Sequence, residues 1–295
     1  MRLPLRLAAA LAVLVLLPAP AFAWGVVGHR LIMARAIDLL PPELKPFFVK
    51  HRDEIVVRVV DPDTWRVAGW PENAHHFMDF GVPEYGKYPF NELPRDYDAA
   101  LQKFGRTTLE RNGLLPWRFL EFYGQLRRSF EGFRRQVGYT ATDVMLFSAT
   151  TSHYIQDAHQ PFHGTDNYDG QLTGQRGIHA RFETALVERF QSRLTLAPPA
   201  PKPIADPREV SFRVLLDSYQ LVDGILQADK QASAGKETYD DDYYENFFAA
   251  VKPVLDRRIS EAISATTSVI IGAWEAAGRP AVPLEEHRPV EKVVR

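Results

Sequence analysis

Thr142-Asp-Val-Met-Leu-Phe-Ser-Ala-Thr-Thr-Ser-His153-Tyr-Ile-Gln-Asp157-Ala158 is the stretch that decides how this chain folds. Val144, Met145, Leu146, Phe147, Tyr154 and Ile155 make it apolar nearly all round a helical period, so it reads as a helix buried at the centre of the molecule. Within it, His153 and Asp157 stand four apart, a spacing that puts both side chains on one helix face. Buried polar groups are costly unless they are paired or hold a metal, so this placement favours a ligand role. Pro161 lacks a backbone donor and ends the helix, turning His163 back toward the same place. His179 and Glu183 repeat the four-residue spacing and form a second gripping pair. With no cysteine in the chain, imidazole and carboxylate are the available side-chain ligands, the zinc-type set of a hydrolytic metal cluster.

The sequence around this helix has apolar residues at three- and four-residue spacing, with no convincing strand alternation and no internal repeat. Helices are expected over residues 28–40, stopped by Pro41-Pro42, and over residues 43–60. Residues 61–98, rich in proline, glycine and aromatics, read as a long irregular segment, and loops of that length are usually functional. Residues 116–136 form an amphipathic helix with Leu120, Tyr123, Leu126, Phe130 and Phe133 on one side and a solvated arginine face on the other. Residues 195–207 are a stiff Pro/Ala connector, followed by two further helical patterns, the last ending at Gly278-Arg279-Pro280. Two helices seldom bury a core alone, so the expectation is an all-α chain with a single compact multi-helix domain, residues 24–280. A loose tail is expected over residues 281–295. Asp242 and Glu245 read as a capping box opening the last helix, and not as a calcium loop.

At the N-terminus Arg2 and Arg6 flank an apolar run that leads to Ala21-Phe22-Ala23, the pattern of a secretory signal peptide, residues 1–23. The run is shorter than the roughly 20 residues a membrane span needs. The expected location is therefore secreted or periplasmic, and cleavage would free the α-amine of Trp24, a metal ligand when neutral, five residues before His29. Without Arg2 and Arg6 the chain has 33 basic against 37 acidic side chains, which supplies no global basic field for gripping nucleic acid. An exported chain without cysteine has no disulfides, so its stability must come from packing, with bound metal as a further expected source. A third polar group, Asp61-Pro-Asp63-Thr-Trp-Arg66 with His75-His76-Phe77-Met78-Asp79, lies in the irregular segment, and taken singly its members also suit turns, caps or surface positions.

These residues resemble, in order along the chain, the secreted trinuclear-zinc phosphodiesterases: zinc-dependent phospholipases C and single-strand-preferring nucleases. The resemblance is carried by Trp24-Gly-Val-Val-Gly-His29, Asp63-x-x-Arg66, His76-Phe77, His153-x-x-x-Asp157-x-x-x-Gln160-Pro161-x-His163 and His179-x-x-x-Glu183. It implies three zinc ions: one held by Asp63, His76, His153 and Asp157, one by His163, His179 and Glu183, and one by Trp24, His29 and Asp157. It implies phosphodiester hydrolysis by a metal-activated water, which Asp63 would orient or deprotonate, with Asp61 as a possible substitute for Asp63. His159 falls where that family tolerates other residues and is expected beside the site or at the surface. Glu183 and the short interval from His163 to His179 resemble the phospholipase branch more than the nuclease branch. The implied partners are a phospholipid surface or, alternatively, single-stranded nucleic acid that Phe77, Tyr85 and Tyr88 would stack against. A third reading is a non-catalytic zinc-stabilised secreted protein. No stable protein partner is implied, and a monomer is expected.

Overall fold

The computed structural model describes residues 24–284 and, among them, is helical without a strand. The expected signal peptide, residues 1–23, and residues 285–295 of the expected tail lie outside the described residues. The helices are α1 (Gly25–Asp38), α2 (Lys45–Lys50), α3 (Arg52–Arg58), α4 (Asp61–Val67), α5 (Tyr97–Phe104), α6 (Arg106–Asn112), α7 (Leu115–Arg135) and α8 (Thr140–Ala158). There follow α9 (Ile178–Ala180), a π turn (Arg181–Ala185), α10 (Leu186–Phe190), α11 (Pro207–Tyr219), α12 (Val222–Ala232) and α13 (Asp241–Ala276). Short 3-10 turns at Asn73–His76 and Pro161–Gly164 carry His76 and His163.

As its all-round apolar pattern requires, α8 is central, packed by α7, α13, α3, α11 and α1. Its lower flank joins a core that includes Phe119, Phe122, Leu126 and Phe130 of α7 and Val269 and Ile270 of α13. A second cluster, with Ile32, Phe182, Leu186, Phe247 and Ile259, packs the helix that carries Glu183 against α1, α12 and α13. Every large apolar face of the middle helices is thus covered from two sides, a single compact domain.

Three expectations change. Residues 43–60 are not one helix: the chain breaks at His51 (φ −104°, ψ 16°), whose ring sits 4.7 Å from that of Phe47. The segment 61–98 is not irregular throughout, because Asp61-Pro62-Asp63 opens α4 with acidic residues and a proline in its first turn. Those are helix-starting features, since Pro has no donor to lose there and carboxylates favour the positive end of the dipole. The cap of α13 is Asp240, whose side chain accepts from the Tyr243 N–H at 2.8 Å, two residues earlier than the expected Asp242.

The proline-rich connector is extended and is laid along α13. Asp256, Ser260 and Ser268, spaced so as to share one helix face, accept from the backbone N–H groups of Thr195, Ala197 and Lys202. A proline-rich strand that cannot satisfy itself is thereby tied to the domain rather than dividing it.

Candidate metal centre

Four short pieces of backbone converge on the C-terminal half of α8. α1 supplies His29, α4 and the following 3-10 turn supply Asp63 and His76, the Pro161–Gly164 turn supplies His163, and the α9–π-turn helix supplies His179 and Glu183. All of these side chains are buried or nearly so. They form three groups whose donor atoms lie within 4.8 Å of one another: His29, His153 and Asp157; Asp63, His76 and His153; and His163, His179 and Glu183. Asp157 stands between them, with Oδ2 3.0 Å from His76 Nδ1, 3.3 Å from His153 Nε2 and 3.8 Å from His163 Nδ1, and Oδ1 3.3 Å from His29 Nε2.

The outer nitrogens explain how the rings are aimed. His153 Nδ1–H donates to the Val59 carbonyl (2.9 Å), His163 Nδ1–H to the His76 carbonyl (2.5 Å) and His179 Nδ1–H to the Tyr168 carbonyl (3.0 Å). His29 Nδ1–H donates to Gln156 Oε1 at 2.6 Å, and the Gln156 amide in turn donates to Thr266 Oγ1. Carbonyl oxygens only accept, so in the neutral ring each of these bonds fixes the proton on Nδ1 and leaves Nε2 as a lone pair facing inward. The lone pairs of His163 and His179 then face each other at 3.1 Å, with Glu183 Oε2 3.0 Å from His179 Nε2. His29 Nε2 meets Asp157 Oδ1, and both atoms are buried without a hydrogen-bond partner, as are Asp63 Oδ2 and Glu183 Oε1. Acceptors turned on acceptors in a buried site repel unless a cation lies among them. The donor set, all nitrogen and oxygen with fixed outer partners, fits zinc.

In the metal-free groups the electrostatics differ from ring to ring. Burial pushes His163 well below the usual imidazole range. Burial would also lower His153, but Asp157 and Asp63 outweigh it and raise that ring to about 8. Asp157 is raised by burial and more than compensated by His153 and His163, so it stays ionised. Burial raises Glu183, with His179 and Gln160 offsetting part of the effect.

The groups open on a cavity of about 400 Å³ lined by Asp63, Arg66, His76, Phe77, Asp79, Arg111, Phe162, His163, Tyr168 and His179. Arg66 Nη2 lies 3.6 Å from Asp63 Oδ1, the i, i+3 contact that α4 creates. Asp79 was not among the expected site residues. It forms part of the wall, and burial, reinforced by Asp166, pushes its carboxyl up to about 8. Tyr168 and Arg111 are also additions, and their sequence neighbourhoods carry no signal that would have marked them.

The alternatives left by the sequence divide cleanly. Asp63 faces the groups, whereas Asp61 is partly exposed and pairs with Arg58 at 3.4 Å. His75 turns away toward Glu72 while His76 turns in. His159 is buried but belongs to neither the groups nor the surface: its Nδ1–H donates to the Ile155 carbonyl and it lines a separate cavity with Arg258. The Trp24 backbone N–H donates to Glu183 Oε2 at 3.2 Å, and its indole N–H donates to the Gln156 carbonyl at 2.8 Å. The first turn of α1 closes over it because residue 28 is glycine, where a Cβ would stand 2.9 Å from Trp24 Cβ. Of the rings expected to stack on substrate, Phe77 lines the cavity, Tyr85 is buried and Tyr88 borders a neighbouring cavity. No protein-family model matches this chain, and no curated protein matches it significantly.

Proposed function

We propose that the chain is an exported zinc-dependent phosphodiesterase of the phospholipase C and nuclease kind, acting on a phospholipid. The observation that carries this reading is the set of inward Nε2 lone pairs, each fixed by an outer acceptor and opposed by another ring or a carboxylate. His29 with Asp157, then Asp63, His76 and His153, and His163, His179 and Glu183 would hold three zinc ions, His153 serving one ion because a single nitrogen of its ring faces inward, with the Trp24 nitrogen within reach of the last group. When bound, zinc supplies a water of lowered pKa and positive charge for phosphate oxygens.

The chain's own residues do the rest. Asp63 has one oxygen, Oδ2, without a partner, which can accept a proton from a water at the cavity floor. Arg66, held against Asp63 and lining the cavity, brings a guanidinium fork to a phosphate oxygen. Phe77 and Phe162 make the wall apolar and exclude water beside the reacting group. Asp157, with histidine rings against both of its oxygens, holds the groups in register rather than moving protons.

A single-strand nuclease is the second reading, favoured by the rings of Phe77 and Tyr168 on the cavity wall, since any base can stack on them. Turnover of the zinc-loaded, processed chain on phosphatidylcholine vesicles beside single-stranded RNA tests the choice. Release of diacylglycerol with intact RNA supports the lipid reading; RNA cleavage with intact lipid replaces it. Absence of hydrolysis on both would leave a zinc-stabilised binding protein.

A further inference from the structure

Among the described residues, eleven large hydrophobic side chains are exposed, and five of them belong to or border two segments that run from the metal cavity. Val67 (61%) and Trp70 (60%) lie between Arg66 and Asn73; Tyr168 (47%) and Leu172 (66%) lie in the loop of residues 165–177, which Tyr88 borders. Residues 67–71, Val-Ala-Gly-Trp-Pro, are exposed one after another and carry no charge. Their flanks, Arg66 and Asn73, both line the cavity, so the segment is a lip of its mouth. The opposite lip is the loop of residues 165–177, in which Tyr168 lines the cavity and Tyr88 borders the loop beside Asp166 and Thr173.

Both lips are built to hold their apolar residues outward. At the end of α4 the Gly69 N–H donates to the Arg66 carbonyl and the Trp70 N–H to the Trp65 carbonyl, with Gly69 at φ +86°. This is a Schellman close, and the stack of Trp70 on Trp65 (5.7 Å, 18°) is its hydrophobic contact. An aliphatic residue would serve that contact, and the stack still leaves most of the Trp70 indole in solvent. In the other lip Asn167 Oδ1 accepts from the Leu172 N–H and Gln171 Nε2 donates to the Asp166 carbonyl, which fixes Leu172 at the surface of the turn.

We propose that these two lips seat the cavity on a zwitterionic phospholipid surface, with Val67, Trp70, Tyr168 and Leu172 entering the headgroup region so that a lipid phosphate reaches the cavity; this rests on the phosphodiesterase reading above. Charge selects the occupant. Arg66 lines the cavity, suited to one phosphate, and Arg111 at its edge is paired with Glu84, whereas residues 67–71 carry no charge and the opposite lip sets Asp166 and Asp169 against Arg176, so the two lips are close to neutral. A polyanionic strand would find no continuous basic track to follow there. A neutral interface accepts Trp and Tyr rings at headgroup depth and adjacent aliphatics just below it. No helix among the described residues is long and apolar enough to cross a membrane, so contact through the lips is peripheral.

The test is flotation of the zinc-loaded, processed chain with phosphatidylcholine vesicles at low and at molar salt, using the wild type, the double variant Trp70→Ser/Leu172→Ser, and Tyr139→Ser. Tyr139 is at least as exposed but precedes the first residue of α8, about 27 Å of helix away from Asp157. The wild type and Tyr139→Ser should float alike, with little loss at high salt because insertion and not charge holds them. The double variant should bind at least about tenfold more weakly, with zinc content and melting temperature reporting that its fold is kept. Equal flotation of the double variant, or no flotation of the wild type, overturns the proposal. So does retention on single-stranded RNA that only the double variant loses. Turnover of soluble bis(p-nitrophenyl) phosphate, measured on the wild type in parallel, separates the two claims. Turnover without flotation sinks the docking surface alone, and lip-dependent flotation without turnover keeps the surface and sinks the phosphodiesterase reading.

Discussion

Asp157 and His159 are two residues apart on one buried turn, yet they do different things. Asp157 touches four histidines of the centre, whereas His159 hydrogen-bonds within its own helix and shares a cavity with Arg258. Asp157→Asn should therefore lose bound zinc and lower turnover by a hundredfold or more, on the order of 3 kcal/mol in the barrier. His159→Ala should keep the zinc and most of the activity while costing stability, about 1–3 kcal/mol for a buried side chain. Elemental analysis with steady-state kinetics checks both. Gln156 is a subtler case. Its Oε1 is the acceptor that fixes the His29 tautomer, so Gln156→Leu should weaken zinc retention about 10–100-fold, read by competition with a chromophoric chelator. The gathering of His153 with Asp157 and of His179 with Glu183 was legible in the sequence from their four-residue spacing on helices. Gln156 was not, since nothing in its neighbourhood tells a supporting amide from any other glutamine.

The element that holds the ligand-bearing turn in place is a buried brace between α7, α8 and the residues leading into His76. Arg118 of α7 donates to both oxygens of Glu72 (3.1 and 2.7 Å), and Tyr154 of α8 donates to Glu72 Oε1 at 2.5 Å. Burial alone would raise Glu72, but hydrogen bonds from His75, Tyr154 and Arg118 outweigh it and hold the carboxyl down at about 2, from an ordinary 4.5. A depressed acid contributes stability that is present above its unfolded value and lost as pH falls through the folded one. The brace should therefore stabilise the protein by about 2–3 kcal/mol above pH 5, declining between roughly pH 4.5 and 2. In Glu72→Gln, urea unfolding across that range should show a lower stability at neutral pH and a flatter acid limb; an unchanged acid limb would contradict the assignment. At this scale the sequence was legible where apolar periodicity ran unbroken, as in α7 and α8. It misled where the chain bends without glycine or proline, at His51, and where a helix-starting proline sat inside a segment dominated by loop residues, at α4.

For the whole molecule, metal is, on the proposed reading, part of the fold as well as of the chemistry. Five chain segments meet at inward nitrogens and carboxylates that repel one another when nothing binds them, so the free centre should be a weak point of the domain. Removing metal should lower the melting temperature by at least about 10 °C, given that about 1 kcal/mol corresponds to roughly 2–4 °C for a domain of this size. The compact all-helical architecture was legible because one helix had to be surrounded on every side. The cavity's walls at Arg111 and Tyr168 were not, because the way α6 and the loop of residues 165–177 pack beside the groups is set by tertiary contacts that no local pattern announces. The most direct measurement is the zinc content of the processed chain after exhaustive dialysis, taken with its turnover of bis(p-nitrophenyl) phosphate before chelation, after chelation and after zinc is returned. The account predicts three zinc ions per chain, with turnover abolished by chelation and restored by zinc. Retention of no zinc, or turnover indifferent to its removal, would contradict it.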